Sequence, residues 1–124
     1  MNAELRLSRD QMRALGYQVV DTLIEHFEGL REKPPSRRGQ RPELEALLRE
    51  PLPEQGADPA AVLAQATAGV FSNMMHVDHP RFFAFVPSPG NFVGAMADAL
   101  VSGFNPFVGS WFAGSGPAQI ELVT

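Results

Sequence analysis

Met12, Leu15, Val19, Leu23, Phe27 and Leu30 recur three and four residues apart, and Val20 and Ile24 widen the stripe. That period is one apolar face of a helix. Ser8 is placed to cap its start, Gln11 completes a capping box, and Leu7 with Met12 suits a hydrophobic staple. Lys33 before Pro34 and Pro35 ends it, because a residue preceding proline resists helical geometry. A second, short helix is expected over residues 43–50, with Leu44, Leu47 and Leu48 on one side and Pro51 and Pro53 as stops. Asp58 followed by Pro59 is a cap-and-start pair for a third. Its inward positions are Val62, Leu63, Ala66, Val70, Phe71 and Met74, and it must finish before Pro80.

Beyond Pro80 the pattern changes. Residues 82–86, Phe-Phe-Ala-Phe-Val, are wholly apolar and read as a short, fully buried strand. The run enters a turn stiffened by Pro87 and Pro89 and released by Gly90, a common wall for a ligand pocket. Asn91 can cap a helix from Phe92 to about Gly103. Ala95, Ala99 and Gly103 stand four apart on it, a ridge where another backbone can come close. An irregular stretch follows over 104–111, and Gly114-Ser115-Gly116-Pro117 announces a last helix. Glu121 is expected in the first turn of that helix, against its positive dipole end. No glycine or basic last turn terminates it, so the sequence reads as interrupted.

The 124 residues suit one domain, and 44% hydrophobic with 19% charged residues is ordinary for a folded chain. Net charge −4 argues against a general nucleic-acid binder. The lack of cysteine removes disulfides, thiolate nucleophiles and zinc–thiolate sites together. The opening Met-Asn-Ala-Glu-Leu-Arg lacks the apolar core of a signal peptide, so a cytoplasmic protein is expected. Charge is unevenly spread. Arg81 is the last basic residue, and after it only Asp98 and Glu121 are charged. Residues 92–114 are long enough to raise a membrane span, but Asp98, Asn105, Pro106 and several glycines oppose it. Burial against protein explains the bare half better.

Candidate chemistry is sparse. His76, Asp78 and His79 offer three metal ligands, but neighbours in an extended segment face opposite ways, and no fourth ligand stands out. No metal is therefore expected, and His79 before Pro80 reads as a turn residue. Neither Ser88 nor Ser115 has a nucleophile-elbow context. Gly114-Ser115-Gly116 could hold a phosphate, yet a plain helix entry accounts for it. Arg37, Arg38 and Arg41 read as a solvated loop in an acidic chain. Lys33, the one lysine, lies between Glu32 and two prolines, without the desolvated pocket that activates a Schiff-base amine.

Residues 79–124 resemble the pyridoxal-phosphate (PLP)-dependent group II amino-acid decarboxylases, the family of aromatic-L-amino-acid decarboxylase. The motifs are His79-Pro-Arg-Phe-Phe-Ala-Phe-Val-Pro-Ser88, Ala97-Asp98-Ala99-Leu100, Gly109-Ser110-Trp111 and Gly116-Pro-Ala-Gln-Ile-Glu121-Leu122. Residues 1–78 resemble the family's N-terminal helical arm more loosely. The resemblance implies a mainly α segment: an arm and dimerisation region over 1–78, then over 79–124 a short strand and helices that begin a fold type I, aspartate-aminotransferase-like enzyme. The whole would be a larger α/β protein.

It also implies a substrate-pocket wall at Phe85, Val86, Pro87 and Ser88, with Phe107 and Gly109 reaching the neighbouring subunit's pocket. Val77 and Val86 stand where aromatic-amino-acid enzymes usually carry aromatic residues, which implies a wider pocket, as well suited to an indole or another bulky side chain as to a catechol. The implied partners are a second copy in a homodimer and a small amino-acid substrate, with no nucleic acid and no membrane. The implied cofactor, PLP, would be held by residues outside this chain, which contributes no catalytic or cofactor-binding group and is inactive alone. The alternative from a different class is a non-catalytic helical module, derived from a truncated decarboxylase gene, that pairs through Ala95, Ala99 and Gly103.

Overall fold

The computed structural model describes residues 6–124; most of the opening segment read for targeting, residues 1–5, lies outside them. The chain falls into two units, the first ending at Pro89 and the second comprising Gly90–Thr124.

In the first unit, α1 runs Arg9–Glu28. The expected capping box is formed: the Gln11 amide donates to Ser8 Oγ at 3.3 Å, and the Ser8 amide donates to Gln11 Oε1 at 2.8 Å. A 3-10 turn, Leu30–Glu32, tightens its end just ahead of the prolines. Helix α2 spans Arg41–Leu48, starting earlier than expected because Pro42 falls in the first turn, where its missing N–H costs nothing. Helix α3, Pro59–Ala66, begins where expected, with the Ala60 amide donating to Asp58 Oδ1 at 3.4 Å. It widens into a π-helical segment, Thr67–Phe71.

Packing in this unit is thin and polar in its ties. Gln18 of α1 donates to the Ala60 carbonyl of α3 at 3.1 Å. Gly69 of the π segment is buried, and a Cβ there would meet Leu47 of α2 at 3.2 Å, so the two elements touch where a side chain is missing. The Arg37 amide donates to the Met74 carbonyl at 3.2 Å and the His76 amide to the Pro35 carbonyl at 2.9 Å. These bonds flank an isolated antiparallel bridge, Ser36 with Met75, which straps the segment after α3 to the chain after α1.

In the second unit, α4 spans Phe92–Phe104 with the Gly94 amide on Asn91 Oδ1 at 2.8 Å, as the sequence suggested. Asn105 closes it in the left-handed region (φ 44°), its amide on the Val101 carbonyl at 2.8 Å. Helix α5 spans Ser115–Val123. Glu121 therefore sits beyond the first turn, not within it, and the first turn carries no acid. No helix among the described residues is long and apolar enough to cross a membrane.

The strand expected over 82–86 is absent. Residues 82–86 are extended or bent, and Phe83, Phe85 and Val86 are 91%, 81% and 101% exposed where burial was expected. A strand exists by pairing, and the described residues bring no second strand alongside this run. The structure is helical throughout its regular elements.

Candidate functional site

The first unit buries little, and two of its buried residues are histidines: His76 at 6% and His79 at 3% exposure, with Leu30 at 6% beside them in rank. The strap created by the Ser36–Met75 bridge delivers both. Two successive turns then fold the chain, the His79 amide donating to the His76 carbonyl at 3.0 Å and the Phe82 amide to the His79 carbonyl at 2.9 Å.

His79 is fully engaged. Its Nδ1 accepts from the Arg81 amide at 2.9 Å, so its hydrogen resides on Nε2, which donates to the Lys33 carbonyl at 2.9 Å. The ring thus joins the end of the 3-10 turn to the start of the His-Pro-Arg-Phe run. This is the turn role foreseen for it, now with named partners.

On the other side of the strap, Asp78 reaches α1. His26 Nε2 lies 3.0 Å from Asp78 Oδ2, both side chains partly exposed at 29% and 16%. The His76 ring centroid is 5.5 Å from that of His26. One ligating atom from each of His26, His76 and Asp78 lies within 4.8 Å of the others. His76 Nδ1 is buried and has no hydrogen-bond partner. Burial holds the His76 imidazole below its ordinary range, the nearby His26 adds to this, and Asp78 opposes it. His76 is therefore neutral at pH 7. The sequence offered His76, Asp78 and His79 as neighbours; the structure separates His79 from the set and supplies His26, fifty-two residues from Asp78, in its place.

The pocket-wall residues proposed from the resemblance sit on an open surface. Phe85 and Val86 project into solvent, and Pro87 and Ser88 are exposed with them. Phe85 adopts φ 59°, a left-handed backbone that a bulky residue rarely takes. Such strain costs on the order of 1–3 kcal/mol and persists where surroundings impose it.

In the second unit, Phe107 and Gly109 are brought together. A Cβ on Gly109 would lie 2.4 Å from the tip of the Phe107 ring, so the ring rests against bare backbone. The loop is pinned behind it: the Gly114 amide donates to the Ser110 carbonyl at 3.1 Å and the Ala113 amide to Ser110 Oγ at 3.3 Å. Phe107 is nonetheless 62% exposed, and Trp111 57%.

No family model matches the chain. It is 48% identical over all of its 124 residues to an aromatic-L-amino-acid decarboxylase from Bacillus atrophaeus, covering 26% of that protein. It is 29% identical to a tyrosine decarboxylase from Oryza sativa subsp. japonica, with 96% of this chain and 23% of that one aligned. Among solved structures it superposes on Oryza sativa TDC with PLP and tryptamine at a TM-score of 0.76 and 25% identity, over 90% of this chain and 23% of the other. The Rhodiola rosea 4-hydroxyphenylacetaldehyde synthase shares the fold at a TM-score of 0.77, over 94% of this chain and 24% of that one. The chain thus spans about a quarter of the length of these relatives. Along its whole length the chain is thus similar to a stretch of an aromatic-L-amino-acid decarboxylase, and over 90% of its length it superposes on the Oryza sativa TDC structure.

Proposed function

We propose that these residues are the N-terminal portion of a cytoplasmic, homodimeric, PLP-dependent decarboxylase that releases carbon dioxide from an L-amino acid, most simply an aromatic one. The complete protein would have the α/β, fold type I architecture, with an arm over 1–78 and the start of the PLP-domain region over 79–124. The observation that carries this is the 48% identity to an aromatic-L-amino-acid decarboxylase over the full 124 residues.

This chain's part is recognition. Phe85, Val86, Pro87 and Ser88 would line the side-chain end of the substrate pocket, and Phe107 and Gly109 would reach the pocket of the second subunit. Their exposure fits surfaces completed from outside the segment, and so does the strained Phe85 backbone. The apolar faces of α4 and α5 would be covered by the remaining enzyme and its partner.

The cofactor does not belong to these residues. Lys33, the single lysine, is only half-buried at the end of the 3-10 turn, and its backbone is committed to Leu30 and His79. That setting does not fit a covalent PLP site, whose amine needs desolvation or electropositive neighbours. PLP supplies the electron sink for carbon dioxide loss in such enzymes, and residues outside this segment would hold it.

A chimera tests the proposal. Residues 1–124 replace the matching stretch of the Bacillus atrophaeus enzyme, and carbon dioxide release from L-tryptophan, L-tyrosine and L-DOPA is followed with PLP present. Activity within about tenfold of the parent is expected, since the replaced stretch would supply pocket wall and not the cofactor groups. A folded, PLP-loaded dimer that has lost all activity overturns it.

A further inference from the structure

His26, His76 and Asp78 have no role in substrate recognition as proposed above, yet their side chains converge in the first unit. They come from α1 and from the strap, which meet in the 3.0 Å contact of His26 with Asp78. The ligating atoms converge within 4.8 Å. Ligands about 2.0–2.1 Å from a tetrahedral Zn²⁺ lie roughly 3.3 Å apart, so small side-chain adjustments bring the three into coordination range. His76 Nδ1, buried without a partner, is an unpaid desolvation that a bond to a cation or polar group would remove.

We propose that His26, His76 and Asp78 form a binding site for a borderline first-row divalent cation, Zn²⁺ in the first instance, that pins the strap to α1. The donor set decides the class of metal. Two imidazoles and one carboxylate suit Zn²⁺ and its neighbours, whereas Mg²⁺ and Ca²⁺ prefer oxygen ligands throughout. A cation there takes the place of the hydrogen that His26 now shares with Asp78. The partial exposure of His26 and Asp78 leaves an entry path and a fourth position for water. His79 stays outside the site, held by Lys33 and Arg81. The cation would be structural: it would join two segments that precede the pocket turn and take no part in decarboxylation.

The test uses the chain with Zn²⁺ alone, by competition against a chromogenic chelator, and with Co²⁺ alone for its visible spectrum. One Zn²⁺ per chain at micromolar affinity or better is expected, together with the intense absorption of four-coordinate Co²⁺ and a higher melting temperature in Zn²⁺. His26→Gln and Asp78→Asn keep a hydrogen-bonding pair while removing a ligand or its charge, so each should weaken binding by at least the about 10–100-fold that losing an outer-shell partner costs. His76→Ala should do the same while leaving the His26–Asp78 pair in place. Absence of stoichiometric Zn²⁺ binding by the unaltered chain, or equal binding by all three variants, overturns the site. An aquo-like Co²⁺ spectrum overturns it even if a variant fails to fold. None of these outcomes bears on the chimera, whose readout is carbon dioxide.

Discussion

The two units of the chain solve the problem of burial in opposite ways. The first unit, ending at Pro89, is tied by specific polar bonds: His79 to Lys33 and Arg81, His26 to Asp78, Gln18 to Ala60. The second, Gly90–Thr124, is far more apolar and buries none of its residues. Leu100, Phe104, Phe112, Ile120 and Leu122 are between 62% and 100% exposed. Hydrophobic burial contributes only when apolar area leaves water, so these side chains give the isolated chain little stability. The first unit holds itself with directional bonds; the second leaves its apolar side chains open to solvent.

The largest effect should come from breaking the first unit's ties. His79→Ala leaves the part-buried Arg81 amide and Lys33 carbonyl without their partner at once, each group left unsatisfied costing roughly 1–3 kcal/mol where water cannot replace the ring. A loss of about 2–4 kcal/mol in urea unfolding is expected, with early exposure of the Arg81 amide in hydrogen exchange. A loss under about 0.5 kcal/mol would show that the histidine ties are incidental, since that is the range of ordinary surface changes.

The second unit has one rigid point, which provides the converse test. A Cβ on Gly114 would lie 2.1 Å from the Phe107 carbonyl oxygen, a backbone atom that cannot swing away. Gly114→Ala should therefore displace the 107–114 loop, at about 1–3 kcal/mol for overpacking. Gly103→Ala, where nothing lies within 4 Å, should be neutral or slightly stabilising in the isolated chain. If Gly103→Ala instead abolishes self-association, the Ala95, Ala99 and Gly103 ridge is in use as a contact. Phe112, fully exposed, separates folding from association further. Phe112→Ser should leave the melting curve within about 0.5 kcal/mol while reducing aggregation measured by light scattering.

What the sequence made legible follows the range of the forces involved. Ser8, Asp58 and Asn91 cap their helices as their local context indicated, because a cap needs only residues two or three along. Pro42 misled by two residues: proline stops a helix interior but opens a first turn. The 82–86 run misled more seriously, since its composition is that of a buried strand, but strand formation depends on pairing that no local pattern encodes. The site divides likewise. The His-Pro-Arg-Phe run carried the family resemblance, whereas the meeting of His26 with Asp78 depends on the tertiary return of the strap and left no sequence signal.

The smallest expected effect is also the cleanest comparison, because it applies one chemical change to both units. Ser8→Ala removes the side-chain acceptor from the start of α1, and Asn91→Ala removes it from the start of α4. A lost cap costs about 0.5–2 kcal/mol in either setting. The consequences should differ. Helix α1 is held downstream by Gln18 and His26, so Ser8→Ala should fray one turn and leave the rest. Neither helix has a fully buried residue, and isolated helices of the thirteen-residue length of α4 are marginal in water. Asn91→Ala should therefore lower helical circular dichroism by more than Ser8→Ala does, although α4 is the shorter helix. Equal losses would mean that the second unit carries internal support comparable to the first, and the contrast between them would fail.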